Sequence, residues 1–446
     1  MSTLRFDQAV SSVSEILAVS PFECAGEITI VRDSLGVLTV VLPDDAWSDV
    51  AKWNTVAEQL HNKLGIYSPG EKEVLLRQRD LIDLDDIIRS PDRVRLPDVA
   101  NMWLVDRLLT NQDWLRKPLV STPPLPTAVA FSIKGGVGRT TAFALWAWSL
   151  AREGKNIVLV DLDLEAPGVA GLLLNETRMP DYGLADWLVD ALVEQPDEVL
   201  LQDCLVSCTL ADSTAGKIRV LPAFGAKTLD YLSKLGRIYM PTFDSNSNRF
   251  VGLAERLMML LEQLGRLPER PDAILLDTRA GLHDIGSAAV TRLGAEVFLF
   301  TRNDSQSRQA YKQLFEHLCM AQSVTFGMPD EDLRWKLKMV GAQQKVSASS
   351  VASLREASYD LWSDTLYDDE NSRPVGDDAP VAATFGCADD NAPHLPLAIQ
   401  FDPRVGDFDL RNETERPDWR VIETAFGDFF AGATKRLFPD PLGVPS

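Results

Sequence analysis

The sequence predicts an α/β fold in which a mostly parallel, twisted sheet is flanked by helices and preceded by a small α+β domain. From Ala128 onward, apolar runs of strand length alternate with segments of helical periodicity. Continuous runs of Val, Ile and Leu are typical of strands buried on both faces of a parallel sheet. The seven runs are AVAFSI, NIVLVDLD, KIRVLPA, AILLDT, EVFLFT, KMVGAQ and PLAIQF.

Residues 1–115 are predicted to form the separate α+β domain. The run RFDQAVSSVSEILAV has helical spacing, and EITIVRDSLGVLTVVLP has two apolar runs around a glycine turn, which indicates a β-hairpin. We expect Asp44 or Asp45 to cap a helix over AWSDVAKWNTVAEQLHNKLG. The segment LPDVANMWLVDRLLTNQDWL also has a helical pattern.

A linker over residues 116–127 is predicted to join this domain to the larger one, residues 128–438. Its sequence, RKPLVSTPPLPT, is rich in proline and sustains neither a helix nor a central strand. Two stretches interrupt the alternation of strands and helices, at about 226–250 and 362–395. We expect both to be surface insertions, and the second, which is acidic and contains proline, to be partly disordered.

Composition restricts the possible partners. The chain has 446 residues, 45% of them hydrophobic, which is enough for two or three domains. Its 44 Lys and Arg against 65 Asp and Glu give a formal charge of −21. That field repels nucleic acid and anionic membrane, so binding to either would need a local basic patch.

The cysteines and the apolar runs predict a cytoplasmic protein. Five cysteines are scattered along the chain, and although Cys204 and Cys208 are spaced to share a helix face, nothing completes a metal site with them. Buried, reduced thiols are therefore expected. No apolar run has membrane-spanning length, and the first residues lack the basic start and cleavage site of a signal peptide.

The stretch FSIKGGVGRTTAFALWAW has the composition of a phosphate-binding loop. Gly135, Gly136 and Gly138 let the backbone approach a phosphate where a Cβ would block it. A helix that begins near Arg139 directs its first N–H groups to the same place, which favours an anion. On the usual Walker A pattern, GxxxxGK[ST], Ile133 replaces the first glycine and Arg139 replaces the lysine. That pattern therefore fails at two positions.

The sequence KGGVGRTT instead resembles KGGVGKTT, the deviant Walker A loop of the MinD/ParA group of P-loop ATPases (SIMIBI class), with one Lys→Arg change. Three further features follow in the order that this family has them: Asp161-Leu162-Asp163 with a downstream proline, Asp277 at the end of AILLDT, and a glycine four residues later. The resemblance covers roughly residues 128–438, and it implies binding of ATP with Mg²⁺. The nucleotide-binding residues that it implies are Lys134, Gly135, Gly136, Val137, Gly138, Arg139, Thr140, Thr141 and Gly281.

The resemblance also implies chemical roles. Thr140 is expected to offer its hydroxyl to Mg²⁺, and Asp277, as the Walker B acid, to hold the ion through water. Asp163 corresponds to the switch I aspartate that positions the attacking water, and Asp161 to its supporting neighbour near Mg²⁺. Lys134 is similar to the signature lysine that reaches across a face-to-face dimer to the partner's phosphates, as an arginine finger does in trans.

The residues alone leave some of these roles open. Asp163 also fits a helix-capping acid, Gly281 an ordinary turn glycine, and His283 a surface histidine. ATP is favoured over GTP because no [NT]KxD guanine motif follows a late strand. Asp402 and Pro403, in the run LAIQFDPRV, are similar to the family's base-contacting loop, and Gln343 and Gln344 are further candidates for contacts with the base.

Arg139 is the main departure from the family pattern. A guanidinium keeps the positive charge of an ammonium but is wide and planar, so the two are not equivalent at a tight site. We expect ATP binding to be retained and hydrolysis to be slow or dependent on the partner subunit. Arg139 is therefore a candidate catalytic residue, together with Lys134 and Asp163.

Three functions fit this sequence. In the first, the chain is a homodimer that closes around nucleotide and controls an unidentified partner protein through its N-terminal domain. In the second, it positions cargo by binding DNA or membrane, as familiar members of the family do. In the third, it is a nucleotide-sensing pseudo-ATPase that regulates an effector in a bacterial conflict or phage-defence operon.

The second function lacks clear local marks. The C-terminal run RVIETAFGDFFAGATKRLF has only two basic residues near its end, and we expect it to pack on the ATPase core rather than to bind membrane. The run DPRVGDFDLRNETERPDWR interleaves acids with its arginines, which indicates a solvated surface rather than a DNA-binding patch. The residues of the C-terminal run expected to face the core are Ile422, Phe426, Phe429, Ala433 and Leu437.

Overall fold

The computed structural model divides the chain into two compact units, Met1–Arg116 and Lys117–Ser446. The structure describes residues 4–20, 26–47, 50–82, 84–88, 90, 93–96, 101–108, 110–119, 122–193, 196, 198–244, 249–322, 332–345, 347–368, 383–405 and 408–439.

The first unit contains a five-stranded sheet with helices packed on it. Its elements are α1 (Phe6–Ala18), β1 (Ile28–Arg32), β2 (Leu38–Leu42), α2 (Val50–Leu64), β3 (Leu75–Arg77), α3 (Leu84–Ile88), β4 (Arg93–Arg95), β5 (Met102–Asp106) and α4 (Gln112–Leu115). The strand order is β3-β2-β1-β5-β4. Strands β1 and β2 form the predicted antiparallel hairpin, and Gly36 in its turn has a φ of 91°. Val13 and Leu60, from the two long helices, are buried in the core of this unit.

Two predictions for the first unit are wrong. The segment predicted as a helix up to Leu115 contains strand β5, which pairs in parallel with β1, and only Gln112–Leu115 is helical within its described part. Pairing with β1 satisfies the backbone groups that a helix would otherwise have satisfied. Asp44 and Asp45 lie in a short 3-10 helix ahead of α2, and the Asp44 carboxylate accepts the N–H of Arg79 at 3.3 Å.

The second unit is built on an eight-stranded sheet. Its strands are β6 (Thr127–Phe131), β7 (Ile157–Asp161), β8 (Val206–Ser207), β9 (Ile218–Leu221), β12 (Ala273–Asp277), β13 (Glu296–Thr301), β14 (Leu337–Gln344) and β15 (Leu397–Gln400), and a separate hairpin is formed by β10 (Thr242–Asp244) and β11 (Arg249–Val251). The order is β15-β14-β13-β6-β12-β7-β9-β8. All neighbours pair in parallel except β8 with β9. The seven predicted strands and the α/β fold class are confirmed, and only the edge strand β8 of this sheet escaped prediction.

Helices flank this sheet. They are α5 (Arg139–Arg152), α6 (Val169–Leu173), α7 (Leu184–Asp190), α8 (Glu198–Asp203), α9 (Tyr231–Ile238), α10 (Leu253–Gly265), α11 (Asp284–Thr291), α12 (Ser305–Gln322), α13 (Leu333–Lys336), α14 (Ala348–Ser363) and α15 (Trp419–Leu437). Strand β6 lies between β13 and β12, and β7 lies beyond β12. Because the carboxyl ends of parallel strands meet at one edge, the turns after these four strands are brought together there.

The C-terminal helix packs as predicted. The side chains of Ile422, Phe426, Phe429, Ala433 and Leu437 are all buried in the core cluster that also contains α5. On α5, the indole N–H of Trp146 donates to the Thr434 hydroxyl at 3.0 Å. Among the described helices, none combines the length and the apolarity needed to cross a bilayer.

The first predicted insertion is a folded element. Residues 226–250, named here the α9 insertion, contain α9 and most of the β10–β11 hairpin. Arg256 on α10 is fully buried and donates to the carbonyls of Ile238 and Met240 at 2.7 and 3.0 Å. This insertion is therefore anchored to the body of the second unit at the end of α9.

Much of the second predicted insertion lies outside the described residues, which resume at 383. The part that follows is packed rather than loose, since His394 is fully buried and its Nδ1 is hydrogen-bonded to the Tyr367 hydroxyl. Lys338 on β14 is also buried, and its Nζ atom donates to the Ala392 carbonyl at 2.7 Å. Burial lowers the pKa of Lys338 to about 7.

The cysteine prediction needs one correction. Cys204 follows α8 and Cys208 follows β8, so the two do not share a helix face. Both are buried free thiols, and burial raises the pKa of each. Within the described residues, no group of three or more His, Cys, Asp or Glu side chains is arranged to hold a metal ion. Cys24 lies outside the described residues.

Candidate functional site

The glycine-rich loop joins the end of β6 to the start of α5 at the centre of the sheet. Gly136 and Gly138 have φ of 68° and 84°, in the left-handed region that favours glycine. Gly138 is the residue that precedes the first turn of α5. Within the loop, the Ser132 hydroxyl donates to the Lys134 carbonyl at 2.7 Å. The loop thus leaves Gly135 and Gly136 exposed, while Val137 is buried and Thr141 half-buried beneath them.

Thr140 and Asp277 meet beside this loop. The Thr140 hydroxyl donates to Asp277 Oδ2 at 2.6 Å, across 137 residues of sequence. The contact exists because β12 pairs with β6, with Asp277 opposite Ala130. Asp277 is 1% exposed, and its other carboxylate oxygen has no hydrogen-bond partner among the described residues. Burial raises the pKa of Asp277 to about 6, although Arg139 and Thr140 act to lower it.

Arg139 is buried beside these groups. It is 8% exposed, and its Nη1 atom lacks a hydrogen-bond partner within the described part of the chain. Its charge acts to lower the pKa of both Asp277 and Asp163. A guanidinium with an unpaired, buried donor is costly, because such a group loses its hydration without gaining a partner. The site therefore contains an unpaired donor on Arg139 and an unpaired acceptor on Asp277, and the two side chains interact electrostatically.

The turn after β7 carries the two predicted switch I aspartates. Asp161 is fully buried, and its carboxylate accepts the N–H groups of Asp163, Gly168 and Val169 at 3.0 to 3.1 Å. Burial and the neighbouring Asp277 raise the pKa of Asp161. Asp163 is half-buried and accepts the N–H of Ala166 at 3.0 Å, and burial raises its pKa too. Asp161 thus holds the turn itself, and its contact with Mg²⁺ stays a prediction.

The turn after β12 brings Gly281 to the base of the loop. The Gly281 N–H donates to the Ser132 carbonyl at 2.9 Å, and the residue has a φ of 98°. Two residues upstream, Arg279 forms an ion pair with Glu165 of the β7 turn, at 3.4 Å. His283 is half-buried behind Gly281. The segments that the sequence predicted as switch I and switch II are therefore linked by a side-chain contact.

Lys134 points away from the Thr140–Asp277 pair. Its ammonium donates to Gln306 Oε1 at 2.7 Å and to Asp304 Oδ1 at 3.3 Å, and its side chain is 38% exposed. These residues line a cleft of about 400 Å³ between the loop and the start of α12. Arg302 lies in the same cleft and donates to the Gly136 carbonyl at 2.5 Å. Sequence reasoning missed Arg302, Asp304 and Gln306, although they follow a predicted strand at its carboxyl end, where a ligand is expected.

The base-contact candidates are dispersed. Gln343 donates to the Gly136 carbonyl at 3.3 Å, so the end of β14 reaches the loop. Gln344 is buried and donates to the Ala342 carbonyl. Asp402 pairs with Arg404 at 2.6 Å, and no hydrogen bond among the described residues joins Asp402 or Pro403 to the loop.

The residues present fit a nucleotide with Mg²⁺. Phosphate oxygens suit the unpaired Arg139 donor and the glycine backbone, and a hard cation suits the unpaired Asp277 oxygen and the Thr140 hydroxyl. Mg²⁺ at phosphate sites uses one or two protein carboxylates together with phosphates and water, so a dedicated cluster of acids is not required.

Comparison with known proteins finds similar chains among solved structures. No family model matches this chain, and no curated protein sequence is significantly similar to it. The similar structures include pNOB8 ParA bound to nonspecific DNA, at 18% identity and a TM-score of 0.39, over 70% of this chain and 96% of that one.

Two more are a ParA-family ATPase from Chlorobium tepidum TLS and apo McdA from Cyanthece. The first has 13% identity and a TM-score of 0.40, over 68% of this chain and 98% of that one. The second has 15% identity and a TM-score of 0.41, over 70% of this chain and 99% of that one. Solved structures similar to this chain thus include ParA-family ATPases. The fold class of this chain follows from its mostly parallel sheet flanked by helices.

Proposed function

We propose that this chain binds Mg·ATP at the loop of residues 134–141, hydrolyses it slowly, and works as a nucleotide-switched homodimer that controls a partner protein. The observation that carries the nucleotide site is the meeting of Thr140, Asp277 and Arg139 beside a glycine loop, with an unpaired Arg139 donor and an unpaired Asp277 acceptor. Three side chains from two distant segments converge where a helix N-terminus already favours an anion.

Different residues of the chain bind the phosphates, hold Mg²⁺ and orient the attacking water. The loop backbone and the first turn of α5 bind the phosphates, and Arg139 donates to them. Thr140 and Asp277 would hold Mg²⁺, which when bound neutralises charge on the β- and γ-phosphates. Asp163, half-buried on the facing turn, orients the attacking water.

Slow hydrolysis follows from the placement of Arg139. Its guanidinium is buried and its charge acts on Asp277 and Asp163, and a wide planar group is not equivalent to a compact ammonium in neutralising charge on the phosphates. The same feature favours the second candidate function, a nucleotide-sensing pseudo-ATPase that regulates an effector. The two functions differ in turnover and not in affinity.

The decisive experiment compares wild type with Arg139→Ala and Arg139→Lys. Calorimetry with Mg·ATP is expected to show binding by wild type and at least about tenfold weaker binding by Arg139→Ala, because a charge-assisted bond to phosphate is lost. Phosphate release is expected to rise in Arg139→Lys. Equal ATP affinity of wild type and Arg139→Ala would remove the arginine from the phosphate site. ATP binding by wild type with no turnover would establish the sensor function instead.

Dimerisation is supported by the position of Lys134 and by an apolar neighbour. Lys134 is partly exposed at the mouth of the cleft, and Leu282, next to Gly281, is 45% exposed. We expect ATP, and not ADP, to shift the protein from monomer to dimer in size exclusion with light scattering. Lys134→Ala is expected to abolish that shift while leaving ADP affinity unchanged.

Binding of DNA or membrane is the function least supported by the described residues. The apolar face of α15 is buried in the core and is not available to a bilayer. Two arginines of the segment before α15 are paired with acids, Arg404 with Asp402 and Arg411 with Asp409. Co-sedimentation with DNA or anionic liposomes, at two salt concentrations and with ATP, is expected to show no salt-sensitive binding.

A further inference from the structure

The α9 insertion contacts the turn that carries Asp163. The Tyr231 hydroxyl donates to the carbonyl of Leu164, the residue directly after Asp163, at 2.5 Å. The Tyr239 hydroxyl donates to the carboxylate of Glu165, the next residue along. Burial and Glu165 raise the pKa of Tyr239, so this hydroxyl stays protonated and donates at neutral pH. Two tyrosines eight positions apart thus hold two consecutive residues of the turn.

The turn has internal contacts and contacts with the insertion. Asp161 and Asp163 bind the N–H groups of residues that follow them, which closes the turn internally. The Leu164 carbonyl and the Glu165 side chain face outward from that network, toward the insertion. Glu165 also pairs with Arg279 at 3.4 Å, which links this turn to the turn after β12.

The segment that carries the two tyrosines is held to the rest of the second unit by side-chain hydrogen bonds. Arg256, fully buried on α10, donates to the carbonyls of Ile238 and Met240, on either side of Tyr239. In the middle of α9, the Lys234 ammonium donates to the Asp186 carboxylate of α7. A side chain whose support is locked in this way positions its partner more tightly than one on a free loop.

We propose that Tyr231 and Tyr239 are positioning residues that hold the Asp163–Glu165 turn in the geometry needed for ATP hydrolysis. This inference rests on the proposed function, because it assigns Asp163 to orienting water. Leu164 is bonded directly to Asp163, so a shift of its carbonyl moves the Asp163 backbone with it. A misplacement of about 1 Å at a reacting group costs on the order of 100-fold in rate.

The kinetic test uses Tyr231→Phe, Tyr239→Phe and the double variant, which lose only hydroxyl groups. Tyr359→Phe on α14, where the ring packs against His394, is the matched control. We expect kcat for phosphate release to fall about fivefold in each single variant and about 30-fold in the double variant, with the Kd for Mg·ADP unchanged, because each hydrogen bond contributes about 1 kcal/mol. The control is expected to keep wild-type kcat. A double variant with wild-type kcat would overturn the inference.

A double-mutant cycle separates positioning from a general loss of stability. If Tyr239 acts through Glu165, Tyr239→Phe is expected to change kcat in wild type and to leave kcat unaltered in a Glu165→Ala background. Equal losses in both backgrounds would mean that Tyr239 acts by another route, and would overturn its part of the inference.

Hydrogen exchange of the nucleotide-free protein tests the same contact without any turnover. Loss of both hydroxyls is expected to speed exchange in residues 162–169 several-fold, while the amides of β6 keep their wild-type rates. Unchanged exchange in that turn would overturn the inference. Absence of ATP binding by wild type, with faster exchange in the double variant, would instead remove the proposed function and leave the contact as a structural one.

Discussion

The glycine loop and the α9 insertion form two sides of the same site, and they are built in different ways. The loop takes its shape from its own backbone, with glycines at positive φ directly before α5. The insertion takes its position from side chains that are distant in sequence, chiefly Arg256, Tyr231 and Tyr239. The backbone angles of the phosphate-binding loop are thus set by its own glycines, with distant contacts from Arg302 and Gln343, whereas the outward face of the Asp163 turn is held by the α9 insertion.

The largest effect is expected where the insertion is anchored. Arg256→Leu removes a buried charged donor and leaves the carbonyls of Leu188, Ile238 and Met240 without it. We expect the free energy of unfolding to fall by about 3 kcal/mol, the usual cost of breaking a buried charged network.

The matched control for that change is Arg237→Leu on exposed α9, where the guanidinium bonds only to Ser233 among the described residues. It is expected to alter the free energy of unfolding by no more than about 0.5 kcal/mol. Urea unfolding measures both. Similar losses in the two variants would mean that the insertion is not anchored through Arg256.

The next effect concerns the loop side. Asp277→Asn removes the charge that we propose holds Mg²⁺, and kcat for phosphate release is expected to fall by about 100-fold or more. Asp272→Asn, directly before the first residue of β12, is the control, since among the described residues the Asp272 carboxylate accepts only the Asn156 N–H, at 2.7 Å. A small loss in Asp277→Asn would remove this carboxylate from the chemistry.

These differences explain what the sequence predicted and what it did not. The loop and Asp277 lie in short sequence motifs, and these motifs predicted which residues form the candidate nucleotide site. Strand β5 was mistaken for a helix because its alternative, parallel pairing with β1, depends on a strand about 70 residues away.

The tyrosines could not be found in the same way. Tyr231 and Tyr239 carry no motif, and their partners Leu164 and Glu165 lie more than 60 residues upstream. Arg302 and Asp304 were within reach, since they follow a predicted strand at the carboxyl edge of the sheet. The rule that ligands bind at this edge would have found them.

The second insertion is also anchored by a buried basic side chain, Lys338, whose protonation changes near neutral pH. Lys338 holds Ala392 as Arg256 holds Ile238, but burial lowers the pKa of Lys338 to about 7. Between that value and the ordinary lysine value, the unfolded chain binds more protons than the folded one. The contribution of Lys338 to stability is therefore lost as pH falls through this window, and fully lost below about pH 7.

Comparison with Lys338→Met isolates that effect. Between about pH 7.5 and 9.5, the free energy of unfolding of wild type is expected to rise by about 2 kcal/mol relative to the variant. Urea unfolding at several pH values measures the difference. A difference that does not change with pH would mean that Lys338 keeps its charge when buried, through Asp428.

The smallest effects are expected from a Gly→Ala substitution made in each region, which should destabilise the loop and stabilise α9. Gly138→Ala places a Cβ on a residue with φ of 84°, where no atom lies within 4 Å, so the cost is backbone strain alone. That cost is about 1 kcal/mol for an L-residue. Gly236→Ala, in α9 and likewise with open space around it, has no such strain and is expected to stabilise by about 0.5–1 kcal/mol.

Urea unfolding of these two glycine variants, with Mg·ATP calorimetry beside it, measures both ends of the comparison. Gly138→Ala is expected to weaken ATP binding as well as stability, because the strain is released by moving the loop that binds phosphate. Gly236→Ala is expected to leave ATP affinity unchanged, since it stiffens α9 without moving the tyrosines. Loss of stability in Gly236→Ala would mean that α9 departs from helical geometry, and weaker ATP binding there would mean that α9 acts on the loop and not only on the Asp163 turn.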